Sequence, residues 1–332
     1  MMVRPTRRRF LLGLTGAMLA GPLDLAAQSA GSRNYRIGFL SSTTAQGYST
    51  RVAAFRRGLA DLGLVDGNNL SFEFRWADGA HERLPGLASE LVRANVDLIV
   101  AIGTPAARAA QRATATIPIV MVSVADPVGS GLVPSLARPG GNITGVTNFV
   151  GDTTRKLLDL LVAAVPKLTR VAVLLNPDNQ STALVLKSID AASRSIGVHV
   201  IEAGARTPVE VDQAFALMAR ERAQAFLTLA DPFLFDRRVQ VTELAARMRI
   251  PAIYNSPEYV EAGGLMSYGV NTAEVHRSAA IQASKILRGA APGEIPVEQP
   301  TQVELVLNLR AAREIGITIP QSILARAERV LE

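Results

Sequence analysis

Cysteine is absent from this 332-residue chain, and histidine occurs only at His81, His199 and His276. Without cysteine there is no disulfide framework, no thiolate metal site and no thiol nucleophile. Three scattered histidines leave little material for an imidazole metal centre. Aromatic residues make up 5% of the chain and include a single tryptophan, so an aromatic ligand cage is not to be assumed. The common catalytic signatures are missing too. There is no Gly-x-Ser-x-Gly elbow, no Walker A loop, no His-Glu-x-x-His, and no Gly-x-Gly-x-x-Gly behind the first strand-like run. A hydrolase therefore has no positive support, and neither a cofactor nor a metal is expected.

The net charge of +6 invites a nucleic-acid reading, but the charge is unevenly placed. Arg4, Arg7, Arg8 and Arg9 stand against Asp24 alone in residues 1–30, and the remainder holds 31 basic and 28 acidic residues, a net of +3. Thr6-Arg7-Arg8-Arg9-Phe10-Leu11-Leu12 matches a twin-arginine export signal. The apolar stretch Leu11 to Ala20 follows, then small residues around Leu25-Ala26-Ala27-Gln28. A charged start, a short apolar middle and a small-residue cleavage zone define a signal peptide over residues 1–27. With no cysteine at that zone a lipid anchor is excluded, and the expectation is a soluble exported protein with no nucleic-acid partner. No later apolar run reaches membrane-spanning length.

From residue 35 onward, short β-branched runs alternate with longer amphipathic segments, the pattern of parallel sheets with crossover helices. Arg36–Leu40 reads as the first strand, and Val52, Phe55, Leu59 and Leu62 mark one face of the helix after it. Strands are expected at 70–76, 97–102 and 117–123 and helices at 87–94 and 105–114. The rhythm then repeats. Strands are expected at 170–175, 198–203, 225–229, 251–254 and 265–268, with helices at 181–196, 209–222, 232–248 and 273–287. The turn cluster Arg138-Pro139-Gly140-Gly141-Asn142 closes the first half.

Two features bear on function. After the first strand the chain reads Ser41-Ser42-Thr43-Thr44-Ala45-Gln46-Gly47, hydroxyl-rich rather than glycine-rich, which suits a small polar ligand or a helix cap. Second, Val124-Ala125-Asp126-Pro127 is echoed by Leu229-Ala230-Asp231-Pro232, each at the end of an apolar strand. Ligands bind outside the carboxyl ends of strands in open α/β sheets, so two such edges facing each other would place Asp126 and Asp231 on opposite walls of a cleft. Equally, an Asp-Pro step can simply begin a turn or cap a helix.

Several motifs resemble the ABC transporter substrate-binding proteins of the tryptophan/tyrosine-binding type. They are the twin-arginine leader, Arg36-Ile37-Gly38-Phe39-Leu40-Ser41, Phe74-Arg75-Trp76-Ala77, Ile117-Pro118-Ile119-Val120, Asp126-Pro127-Val128, Arg138 to Val146, Gly263 to Gly269 and Glu304 to Leu309. The resemblance implies a type I periplasmic binding fold, with two doubly wound parallel-sheet α/β lobes joined by a three-segment hinge. Residues 35–147 plus 272–300 would form lobe 1 and residues 150–268 plus 301–332 lobe 2, with crossings near 146–152, 267–273 and 298–304. It also implies a periplasmic, monomeric, non-enzymatic protein. That protein would close on a small amino-acid-like ligand by hinge rotation and deliver it to an ABC permease in the inner membrane.

Strand ends then supply the candidate ligand residues. Thr104 opens a helix whose positive end could hold a carboxylate, and Ser41, Ser42 and Ser123 share that edge. On the facing lobe Asn176, Asp231, Tyr254 and Asn255 sit at strand ends. Asp126 or Asp231 could pair with an ammonium, and Tyr254 could stack on a ring. Tyr48 and Tyr268 are further candidates. Capping accounts equally for Thr104, and core packing for Tyr254. The ligand itself stays open among aromatic and branched amino acids, other small carboxylates and nucleoside-like molecules. Two other classes share the scaffold: a periplasmic sensor that presents its ligand state to a membrane receptor, and a periplasmic enzyme.

Overall fold

The computed structural model describes residues 33–148, 151–300 and 302–332. The proposed signal peptide lies outside these residues, as do positions 149, 150 and 301 within two of the expected crossings. In the first sheet, β1 (Tyr35–Ser41) lies between β2 (Leu70–Trp76) and β3 (Leu98–Ile102), followed by β4 (Ile119–Val124) and β5 (Ile143–Thr147). All of its pairings are parallel. Helices α1 (Ser49–Ala60), α2 (Leu84–Arg93) and α3 (Gly103–Ala113) are its crossovers, which parallel strands require. β3 is fully buried, whereas β2, at the edge, is mostly half-buried. That difference is why β3 reads as a continuous apolar run and β2 as an alternation.

After β5 the chain enters the second lobe at α4 (Gly151–Ala164). β6 (Arg170–Leu175), α5 (Thr182–Ile196), β7 (His199–Gly204), α6 (Pro208–Arg220) and β8 (Ala225–Thr228) repeat the first lobe's rhythm. Next come α7 (Pro232–Asp236), α8 (Arg238–Met248), β9 (Ala252–Tyr254), α9 (Pro257–Glu261) and β10 (Met266–Val270). Helix α6 shows the local logic well. Thr207 Oγ1 accepts from the Glu210 N–H at 3.2 Å, Glu210 Oε2 accepts from the Arg206 N–H at 2.9 Å, and Pro208 stands at the first helical position, a start signal written in four residues.

From β10 the chain returns to the first lobe as α10 (Thr272–Leu287), whose Asn271 cap accepts from the Ala273 and Glu274 N–H groups at 3.0 and 3.2 Å. Gln282 on α10, fully buried, donates to the Gly145 carbonyl of β5 at 3.1 Å. The strand that follows, β11 (Val303–Asn308), rejoins the second sheet, and α11 (Leu309–Ile315), α12 (Gln321–Leu324) and β12 (Arg329–Leu331) complete it. The order is β7-β6-β8-β9-β10-β11-β12.

Two details differ from the sequence expectation. β11 runs antiparallel to β10, so the second sheet carries one reversed strand. The segment expected as one helix over 232–248 is two, broken at Arg237 (φ −91°, ψ 12°), and the break leaves Asp236 free to face the other lobe. Among the described residues no helix is long and apolar enough to cross a membrane.

Seven of the aromatic residues lie in one continuous chain. From Phe55 and Phe39 it passes to Tyr48, then across to Phe235 at 6.2 Å, Tyr259 at 6.3 Å, Tyr254 at 4.7 Å and Phe226 at 5.8 Å. Tyr48 belongs to the first lobe and Phe235 to the second, so the apolar core is continuous between the sheets.

Candidate functional site

A cavity of about 110 Å³ lies between the carboxyl ends of the two sheets, where open α/β sheets place ligands. From the first lobe it is lined by Tyr48, Thr104, Ser123 and Asn148, and from the second by Asn179, Thr182, Thr228, Asp231 and Asn255. Ile102, Leu157, Val185, Leu229, Val270 and Val275 supply apolar surface.

Each polar wall has a local cause. Ser123 has φ 57°, in the left-handed region, and the β4–β5 register shifts between Val122 and Val124. A bulge of this kind re-aims a side chain, and Ser123 lines the cavity although its strand neighbours are buried in the sheet. Thr104 begins α3 behind Gly103 (φ 75°), and the capping residue, Ile102, has no side-chain acceptor. The first N–H groups of α3 therefore have no side-chain cap and open at the cavity wall. A Cβ on Gly103 would stand 2.9 Å from Pro232 Cγ on the facing lobe, so glycine is required there by both conformation and approach.

Asp231 is the most constrained of the lining groups and is 6% exposed. Its Oδ1 accepts from the Leu234 N–H at 3.1 Å and from Asn176 Nδ2 at 3.3 Å, and its Oδ2 accepts from Asn179 Nδ2 at 2.9 Å. The residue thus caps α7 and faces the cavity at once. A carboxylate has about four acceptor sites, which leaves one for a cationic donor. Among the residues that line the cavity, Thr228 Oγ1 and Asn148 Oδ1 are buried without a hydrogen-bond partner. Leaving such groups unmet costs about 1–3 kcal/mol each, a cost that a polar ligand would remove.

Of the nine residues expected from sequence, Thr104, Ser123, Asp231 and Asn255 line the cavity, and the other five do not. Ser41 Oγ pairs with Thr43 Oγ1 at 2.9 Å, and Ser42, fully buried, offers its carbonyl to the Gly79 N–H at 2.7 Å; the hydroxyl-rich run pins the turn after β2. Asp126 Oδ1 accepts from the Gly129 N–H at 2.8 Å, and its carbonyl accepts from the Ser130 N–H at 2.9 Å, so it closes a turn. Asn176 stands behind Asp231 as a donor. Tyr254 is fully buried and stacks on Tyr259 at 4.7 Å with the rings 7° apart. Its neighbour Asn255, in the bend just beyond β9, is the residue that reaches the cavity.

Sequence reasoning passed over Arg51, Asn148, Asn179, Thr182, Thr228 and Phe235. The strand-end rule that found Asn176 would have found Asn148 and Thr228. Arg51 carried no such signal. It lies on α1, 12% exposed at its side chain, with Nε and Nη2 donating to Glu258 Oε1 on α9 at 3.0 and 2.9 Å and its guanidinium 3.5 Å from the centre of the Phe235 ring. Burial by itself pushes the Glu258 carboxyl upward, but the Arg51 charge and local hydrogen bonds outweigh it and hold the group at about 2.

Behind Arg51, Tyr48 and His276 form a buried pair. His276 Nδ1 lies 2.8 Å from the Thr272 carbonyl, which can only accept, so Nδ1 carries the proton and Nε2 accepts from Tyr48 Oη at 3.0 Å. Burial, reinforced by the Arg51 charge, lowers His276 to about 4, and burial raises the Tyr48 hydroxyl to about 12. Both are neutral near pH 7, and Arg51 and Asp231 are the charged groups among the residues that line the cavity.

Comparison with known proteins follows the same lines. The family model described as "ABC transporter substrate binding protein" matches residues 39–331. A tyrosine-binding protein of Clostridioides difficile is 31% identical over 254 residues, covering 76% of this chain and 73% of that protein. Among solved structures, an ABC domain from Streptococcus pneumonia in complex with L-Trp is 26% identical, with a TM-score of 0.83 over 90% of this chain and 100% of that one. A substrate-binding protein with adhesive properties from Clostridium difficile, in its ligand-free, open structure, is 27% identical, with a TM-score of 0.63 over 90% of this chain and 99% of that one.

Proposed function

The chain belongs to the family of ABC transporter substrate-binding proteins, and from that premise we propose that it is the exported solute receptor of an importer for an amino acid. The family is a substrate-binding rather than a catalytic class, it delivers small ligands to a permease, and it is typically extracytoplasmic. The twin-arginine motif at Arg7-Arg8 is the proposed export route, and the mature chain begins near residue 28. The proposed receptor is a monomer whose macromolecular partner is the permease rather than nucleic acid.

Asp231 is the observation that carries the amino-acid reading. Three donors orient it, and it faces a cavity whose opposite wall holds the uncapped start of α3. In this reading the ligand ammonium sits on Asp231 and its carboxylate at the α3 N-terminus beside Thr104. Ser123, Asn148, Thr228 and Asn255 supply the remaining hydrogen bonds. The side chain of the ligand lies against Leu157, Val185 and Val275. The names of the relatives make tyrosine and tryptophan the first ligands to test.

In this reading binding proceeds by rotation of the two lobes, and the arrangement described here corresponds to the closed form. At nearly equal identity the TM-score is 0.83 with the L-Trp complex and 0.63 with the ligand-free, open relative, which supports that reading. A thermal-shift screen of the mature protein against the amino acids and small carboxylates tests it. A ligand at a hundredfold excess over its Kd adds about 2.7 kcal/mol of stability. A clear rise with at least one amino acid is expected, and no rise with any of the twenty would overturn the assignment.

A further inference from the structure

Arg51 lines the cavity, and its partner Glu258 stands on the far side of it from the cavity. The pair joins α1 of the first lobe to α9 of the second, and it separates two spaces: the inner cavity, and an outer hollow of about 380 Å³ bounded by Thr50, Arg51, Arg238, Glu258, Glu261 and Thr272. Arg51 and Thr272 line both. We propose that Arg51 and Glu258 are the gate of the binding site, a pair formed only when the lobes are closed, which seals the cavity from the outer hollow and sets how long a ligand stays. The proposal rests on the reading of the lobes as hinged.

The geometry of a gate is present on both sides. Both guanidinium contacts converge on one carboxylate oxygen, and the second, Oε2, is 3.5 Å from Thr272 Oγ1 of α10. Stacking on Phe235, itself a residue of the second lobe, holds the Arg51 plane. The two side chains are 12% and 19% exposed, so the pair is screened far less than a surface ion pair. A second inter-lobe bond stands beside it, from Thr44 Oγ1 to Asp236 Oδ1 at 2.8 Å. A Cβ on Gly47 would lie 1.6 Å from that same Asp236 oxygen, so glycine is what lets the second lobe seat there. Rotation of the lobes breaks both bonds together, while contacts within each lobe need not change.

The absence of native cysteine allows a direct test. Exposed positions on either lobe, Gln46→Cys and Glu243→Cys, take a spin-label pair, and the inter-lobe distance is measured on the ligand-free protein and again with the amino acid that raises its melting temperature most. Glu258→Gln should move the ligand-free distribution toward longer distances. It should also speed dissociation of that amino acid about ten- to hundredfold, with association changed little. Arg51→Gln should do the same, and the double variant should be no worse than either single one, because the two act as a unit.

Thr44→Val, which leaves the pair intact, should give a smaller shift in the same direction, and it carries the test if the charged variants fail to fold. Distances in Glu258→Gln and Thr44→Val that match the parent would overturn the gate. So would additive losses in the double variant. The ligand-free distances report on the gate even if no amino acid binds, so failure of the gate and failure of the amino-acid assignment are told apart.

Discussion

Asp126 and Asp231 occupy matching places in the two lobes, each in an Ala-Asp-Pro step beyond an apolar strand, yet they do different work. Asp126 accepts from the Gly129 N–H and closes a turn outside the cavity. Asp231 accepts from the Leu234 N–H, the same n+3 capping geometry, but the chain beyond it is a helix, and the asparagines at 176 and 179 hold its carboxylate beside the cavity. Pro232 then meets Gly103 across the cleft. Identical local chemistry therefore becomes a turn in one lobe and a cavity wall in the other. What decides between them is the neighbouring loop after β6, which supplies donors on one side only.

That contrast is broken most sharply by removing each carboxylate in turn. Asp231→Ala should weaken amino-acid binding by about ten- to hundredfold, the worth of a hydrogen bond to a charged group, and cost about 1 kcal/mol of stability through the lost cap. Asp126→Ala should leave affinity unchanged in the same titration. Equal losses in both variants would return Asp126 to the site.

The next effect sets the buried base of the first lobe against the buried acid of the second. His276 has its pKa lowered from 6.5 to about 4, so the unfolded chain takes up the proton first. Stability from this group is complete above pH 6.5 and is lost as pH falls toward 4, by roughly 3 kcal/mol in all. Glu258, lowered from 4.5 to about 2, contributes stability above pH 4.5 that is lost as pH falls toward 2. Chemical denaturation across pH 7 to 4 should therefore show a fall in the parent, and the fall should be largely absent in His276→Gln. An unchanged slope in that variant would contradict the assignment.

The smallest effect concerns Tyr254. Its hydroxyl is buried without a partner, so Tyr254→Phe should be neutral or slightly stabilising and leave ligand affinity as it is. A measurable loss of affinity in Tyr254→Phe would show that the ring or its hydroxyl reaches the ligand.

The strands and most helices could be read from periodicity because each lobe is a parallel sheet. Buried strands such as Leu98–Ile102 are continuous apolar runs, and crossover helices such as α2 keep one apolar face. The reversed β11 could not be read that way, since direction leaves no trace in the residues of a six-residue strand. The site was half visible for a related reason. The strand-end rule finds the edge of a sheet, as it did for Thr104, Ser123, Asp231 and Asn255. It cannot say which of two adjacent residues faces the cleft, and this separates Asn255 from Tyr254. Arg51 was invisible, since its partners Phe235 and Glu258 are remote in sequence and belong to the other lobe.

Asp231 is the proposed seat of the ligand ammonium. Calorimetric titration of the mature protein with the amino acid that raises its melting temperature most, and then with the same molecule lacking the amino group, tests it most directly. Loss of at least about tenfold in affinity on deamination is the predicted result. Equal affinity for the two molecules would contradict it.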